Sequence, residues 1–253
     1  MKWSANLGFL WQSLELPSSI EQAAKAGFNA VEFHWPYQYS SELIAETLSK
    51  HQIELVSLNT PPGRLNQGEF GLLAHSSQEL ARSSLDQAIA YAQVTHCKQI
   101  HLMPGKFQDE QALARFEANI RTALEVTEGS ELTFLIEPLN SFDVDGYLLG
   151  SGTLAVDIIK RIDDERLKLM FDGYHIQKIH GNLCHWFSQW SPYIGHVQIA
   201  SVPKRTEPNQ GEVDYRYLID HMLREGYEGY VGLEYKPTIE DDASVKCRHA
   251  LEP

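Results

Sequence analysis

Long apolar runs are missing from this 253-residue chain, and none approaches the roughly 20 residues that a membrane-spanning helix needs. Positive charge is scarce as well: 21 Lys and Arg stand against 34 Asp and Glu, a net charge of −13. That balance argues against an open nucleic-acid surface, which requires clustered cations, but not against a small anionic substrate that responds to local charge. Only three cysteines occur, Cys97, Cys184 and Cys247, with neither metal-type spacing nor a disulfide framework, as suits a reducing compartment. No Pro-, Gly- or Ser-rich linker, low-complexity tract or true internal repeat divides the chain, and one domain over residues 1–253 is expected. The first residues enter strand-like sequence at once without a signal-peptide pattern, and a cytoplasmic location is the expectation.

What is present is an alternation of short apolar runs and amphipathic segments. The stretch Leu132-Thr133-Phe134-Leu135-Ile136-Glu137-Pro138 is a continuous apolar run that ends in a carboxylate and is then stopped by proline. Such runs mark parallel strands covered on both faces by helices. Three later runs end likewise: residues 167–171 at Asp172, 193–197 at Gln198 and 229–233 at Glu234. The intervals of 35, 26 and 36 residues each fit one strand-helix unit. Earlier strands are expected at 3–7, 30–33, 53–58 and 99–103, so that Asn6, Glu32, Asn59 and His101 join the series. Eight such units in 253 residues predict an α/β (β/α)8 TIM barrel, with the polar strand ends ringing one mouth.

Helix signals fill the gaps. Ser18 and Glu21, and again Ser76 and Glu79, have capping-box spacing. Helices are expected over 40–51, 109–127, 153–162, 176–190 and 214–225, and the polar tail after about residue 238 is expected to be irregular or loosely helical. The long connection 60–75 belongs to the mouth, where loops of this length serve function. Three carboxylates meeting in a partly dry pocket repel one another, and a divalent cation with oxygen ligands is the simplest means of neutralising them.

Phe33-His34-Trp35-Pro36-Tyr37, Ile136-Glu137-Pro138-Leu139-Asn140, Phe171-Asp172-Gly173-Tyr174-His175, Gly195-His196-Val197-Gln198-Ile199-Ala200 and Gly232-Leu233-Glu234-Tyr235-Lys236-Pro237 occur in this order. Through them the chain resembles the hydroxypyruvate isomerase family, which includes the 2-oxo-tetronate isomerases, among the xylose-isomerase-like barrels. The resemblance implies that Glu137, Asp172, Gln198 and Glu234 are metal ligands, that Glu137 and Glu234 are also the catalytic acid-base pair, and that His175 and Arg205 contact the substrate. Related ketose 3-epimerases usually place His where this chain has Gln198. One departure is the loop Ser201-Val202-Pro203, where those isomerases tend to read Asp-Asn-Pro.

The chemistry follows from the residue types. Moving a carbonyl by one carbon requires a proton to leave one carbon and return to its neighbour through an enediolate. A Mg²⁺ or Mn²⁺ ion suits an oxygen-only ligand set and stabilises the developing charge. A carboxylate on each flank moves the proton. Arg205 matches a substrate carboxylate through a bidentate fork; His101 and Lys236 are further substrate-binding candidates. Glu32 and Asn59 are expected to orient ligands, Glu69 to seal the pocket, and Phe9, Trp11 and Trp35 to wall it. The expected activity is aldose-ketose isomerisation of a small anionic sugar acid, with a ketose 3-epimerase acting on a neutral sugar as the alternative. A metal-dependent DNA-repair nuclease would need more histidines and a basic groove, and a non-catalytic sugar binder would not need both Glu137 and Glu234. Neither a nucleic acid nor a membrane is an expected partner, and self-association into a homo-oligomer is compatible with the sequence.

Overall fold

The computed structural model describes residues 1–107 and 109–252. Eight parallel strands close on themselves in chain order: β1 (Lys2–Asn6), β2 (Ala30–Phe33), β3 (Glu54–Asn59), β4 (Gln99–His101), β5 (Thr133–Ile136), β6 (Leu167–Asp172), β7 (Ile194–Ile199) and β8 (Tyr230–Leu233). β8 pairs with β1 in parallel from Lys2↔Tyr230 to Ala5↔Leu233, which removes both sheet edges. The barrel is the expected (β/α)8 architecture. The helices are α1 (Leu16–Lys25), α2 (Ser41–His51), α3 (Gln78–Thr95), α4 (Ala112–Val126), α5 (Gly152–Ile162), α6 (Gly173–His180), α7 (Leu183–Trp190), α8 (Tyr215–Arg224) and α9 (Asp241–Ser244). None among the described residues is long and apolar enough to cross a membrane.

The period-2 geometry of a strand sorts its residues into two layers. One set, including Val31, Leu58, Ile100, Phe134, Ile136, Phe171, Val197 and Val231, is fully buried and apolar. Phe171 meets Phe187 and Trp190 of α7 edge-on, so this set faces the helices. The alternate set includes Ser4, Glu32, Ser57, His101, His196 and Gln198, all buried and all polar. The barrel interior near the mouth is therefore a hydrogen-bonding layer and not an oily plug.

Several local boundaries differ from expectation. α1 starts two residues before Ser18, with Pro17 in its first turn, where a fixed φ and a missing N–H cost nothing. Ser77, not Ser76, caps α3 by accepting from the Leu80 amide at 3.3 Å. The single helix expected over 176–190 is two, because Gly181 takes a left-handed φ of +65° between α6 and α7. The tail takes the loosely helical form of the two expected: α9 and a 3₁₀ turn over Val245–Ala250 pack back on the barrel. The Arg248 guanidinium lies 4.2 Å over the Phe28 ring and donates to the Ala26 carbonyl, while the Trp11 indole donates to Asp242 at 2.9 Å.

Candidate active site

Glu137 follows β5 directly, Asp172 ends β6, Gln198 lies in β7 and Glu234 follows β8. All four are buried at the C-terminal mouth. Asp172 has a second local role as the cap of α6, its Oδ1 accepting from the Tyr174 amide at 2.8 Å. The strand thus turns straight into a helix, which brings His175 back over Asp172, with Nε2 3.6 Å from Oδ2. Glu137, Asp172 and His175 offer atoms within 4.8 Å of one another, a group able to hold a metal ion. The two oxygens of Glu234 are engaged by other partners, one of which, Arg205, also reaches Asp172 Oδ2 at 3.4 Å. Oε1 lies 2.9 Å from His34 Nε2 and accepts from Asn6 Nδ2 at 3.2 Å, while Oε2 accepts from Arg205 at 2.7 Å.

Hydrogen bonding fixes the proton of His175. His175 Nδ1 faces the backbone N–H of Asn140 at 3.0 Å and must accept from it. Burial and the Arg205 charge hold the ring well below its usual pKa, so it is neutral and carries its proton on Nε2. That nitrogen is a donor facing the site, which suits contact with a substrate oxygen better than metal ligation. His101 Nδ1 lies 3.3 Å from Asn59 Oδ1 and 3.6 Å from Glu137 Oε2. Burial drives its pKa down to about 3.

The carboxyls differ in proton affinity. Burial, reinforced by Glu234 and Asp172, pushes Glu137 well above the usual range. Burial, opposed by Arg205, pushes Asp172 up to about 7. Burial acts on Glu234 too, but Arg205 and the His34 hydrogen bond overrule it and hold this carboxyl well below its usual value. Neighbouring carboxyls with opposite tendencies are the arrangement in which one gives a proton while the other takes one.

Arg205 is clamped into place. It adopts φ +57° in the loop after β7, a left-handed conformation that costs a non-glycine residue about 1–3 kcal/mol and is tolerated where surroundings enforce it. Its amide donates to the Ser201 carbonyl, its carbonyl accepts from the Lys236 amide, and its guanidinium lies about 5 Å over the rings of both Phe9 and Tyr174. Lys236 itself does not reach the site as a side chain: it is exposed, and only its backbone takes part.

These groups enclose a cavity of about 80 Å³ whose polar wall includes Glu137, His101, His175, Arg205 and Glu234. Phe9, Trp35 and Phe70 supply apolar wall, but Trp11 does not; it packs edge-on against Phe28. In the 60–75 connection it is Phe70, not Glu69, that closes over the cavity. Glu69 is spent on Arg64 in the same loop, while Phe70 meets Trp35 and Tyr147 edge-on. Sequence reasoning assigned no role to His34. Its signal was present, a polar residue directly after the apolar run of β2. Gly8 makes room for it, since a Cβ there would lie 2.2 Å from the His34 ring.

Residues 20–249 match the family model described as a xylose isomerase-like TIM barrel. The chain is 35% identical over 251 residues to the hydroxypyruvate isomerase of Escherichia coli (strain K12), covering 97% of each chain. The chain belongs to the hydroxypyruvate isomerase family. A putative hydroxypyruvate isomerase of Xenopus laevis is 37% identical over 94% of this chain and 90% of its own. The 2-oxo-tetronate isomerase of Haemophilus influenzae is 35% identical over 93% of each. This is a family of enzymes, and the chain is an isomerase. Among solved structures, the protein from Brucella melitensis described as AP endonuclease, family 2, superposes with a TM-score of 0.95 at 33% identity over 100% of this chain and 99% of that one. D-psicose 3-epimerase from Clostridium cellulolyticum H10 superposes at 0.81 with 19% identity over 100% of both, which shows a shared fold alone.

Proposed function

We propose that this family member interconverts a short 2-oxo acid bearing a neighbouring hydroxyl with its aldehyde or 3-oxo isomer, hydroxypyruvate and tartronate semialdehyde or the four-carbon 2-oxo-tetronate pair. The observation that carries the reading is that two buried carboxyls, Glu137 and Glu234, line one small cavity together with the Arg205 guanidinium. Arg205 supplies the charge for the substrate carboxylate, and Phe9, Trp35 and Phe70 exclude water around it. Glu137 and Glu234 move the carbon-bound proton between adjacent carbons. The Nε2–H of His175 holds the oxygen that alternates between carbonyl and hydroxyl.

The donor set fits a hard divalent cation. Glu137 Oε1 and Gln198 Oε1 are buried without a hydrogen-bond partner, and the raised Glu137 and Asp172 mark carboxyls short of positive charge. Glu137, Asp172, Gln198 and Glu234 would hold Mg²⁺ or Mn²⁺, with His175 beside them as a donor to substrate. Bound there, the cation would supply Lewis-acid stabilisation of enediolate charge.

The test is turnover in D₂O with Mn²⁺ or Mg²⁺ on hydroxypyruvate, oxo-tetronates and neutral ketoses. The reading expects turnover of the acids with solvent deuterium entering at carbon. Turnover of ketoses alone would support the epimerase instead, and label-free product would remove the proton-transfer route.

A further inference from the structure

Beneath the mouth the barrel holds a fourth carboxylate that takes no part in the proposed proton transfer. Glu32, in β2, is fully buried. Ser4 donates to its Oε1, His196 Nε2 lies 3.0 Å from the same oxygen, and Gln198 Nε2 donates to Oε2 at 2.7 Å. Space for it comes from the absence of a side chain on β8: a Cβ on Gly232 would lie 2.2 Å from Glu32 Oε1.

The consequence falls on Gln198. A carboxamide donates at one end and accepts at the other, and only its oxygen can ligate a hard cation. Gln198 stands in register with Asp172 at a mouth crowded with carboxyls. Left free there, the amide would turn its N–H groups toward those acceptors. Glu32 can only accept, so the nitrogen must face it. The Gln198 oxygen is then left buried and unpartnered.

The geometry points to Glu32 as a positioning residue that selects the oxygen-out orientation of Gln198 and so completes the cation site. This inference rests on the cation site proposed above. A Gln at position 32 brings a donor as well as an acceptor to this contact and no longer dictates which end of Gln198 faces it, whereas a carboxylate at position 198 presents oxygen either way round.

The experiment is Mn²⁺ titration by calorimetry on the purified full chain and three variants, Glu32→Gln, Gln198→Glu and the double variant, each checked for its thermal transition. Glu32→Gln is expected to weaken Mn²⁺ binding about 10–100-fold, the range for groups that orient metal ligands. In the Gln198→Glu background the same substitution should weaken it no further. Equal Mn²⁺ affinity in wild type and Glu32→Gln, or the same loss in both backgrounds, would overturn the inference while leaving the cation site standing. No Mn²⁺ binding by the wild-type chain would overturn both. Should Glu32→Gln fail to fold, side-chain amide NMR of the wild-type chain decides. Gln198 N–H signals protected from exchange with and without Mg²⁺ support the inference, and unprotected ones overturn it.

Discussion

Replacing Arg205 with Ala separates the two tasks that its guanidinium performs. The group, itself partly buried, lies between the buried carboxylates of Glu234, with Oε2 at 2.7 Å, and Asp172, with Oδ2 at 3.4 Å. Removing one partner of a buried charge network strands the rest and costs about 3–5 kcal/mol. A domain of this size loses about 2–4 °C for each kcal/mol, so the cation-free variant should melt on the order of 10 °C lower than wild type. Saturating Mn²⁺ should restore much of that, since it neutralises the same carboxylates. It should not restore recognition of the substrate carboxylate. A charge-assisted hydrogen bond is worth about 1.5–3 kcal/mol, which converts to about 10- to 100-fold in kcat/KM, expressed mainly as a higher KM. Steady-state kinetics on hydroxypyruvate with saturating Mn²⁺, beside differential scanning fluorimetry with and without the ion, measures both quantities. An unchanged KM for the acid in a folded variant would refute the assignment of Arg205 to the substrate carboxylate.

Glu137→Gln and Glu234→Gln should each lower kcat by about 10²-fold or more in solvent-exchange assays, the usual worth of a positioned acid or base; near-wild-type turnover removes that residue from the pair. Mn²⁺ at 100 times its dissociation constant should stabilise the wild-type fold by about 2.7 kcal/mol, read as a rise in melting temperature that EDTA reverses. Gly232→Ala forces a methyl group into the space of the Glu32 carboxylate and should cost about 1–3 kcal/mol in urea denaturation, as overpacked interiors do. Glu207→Gln should raise KM for the acid more than it lowers kcat. Glu207 accepts from the Thr238 amide and hydroxyl and from Ser244, and these bonds hold the loop that carries Arg205.

The fold was legible because eight apolar runs ended in polar residues at intervals that only strand-helix units fill, and those same ends identify the ring at the mouth. Glu32 was readable as a member of that ring for the same reason. What escaped depended on contacts distant in sequence. The apolar spacing of Ile176, Leu183, Phe187 and Trp190 runs on through Gly181, so periodicity alone does not reveal the break that the left-handed glycine makes. The tail reads as polar because Asp242, Arg248 and Glu252 find their partners in Trp11, Ala26 and Trp3, more than two hundred positions away. Lys236 looked available two residues beyond Glu234, yet the strand has ended there and the side chain leaves for solvent.

The docked tail also bears on how this enzyme can be handled. Ser244 sits in α9 and bonds Glu207, two residues from Arg205, so the C-terminus is braced against the recognition loop. An affinity handle or fluorescent fusion at that end pulls on the brace, while one at the N-terminus pulls on the start of β1, whose Lys2 pairs at the opposite rim of the barrel. A fusion joined after residue 252 is therefore expected to alter KM more than one joined before Lys2, which kinetics on the two forms would check.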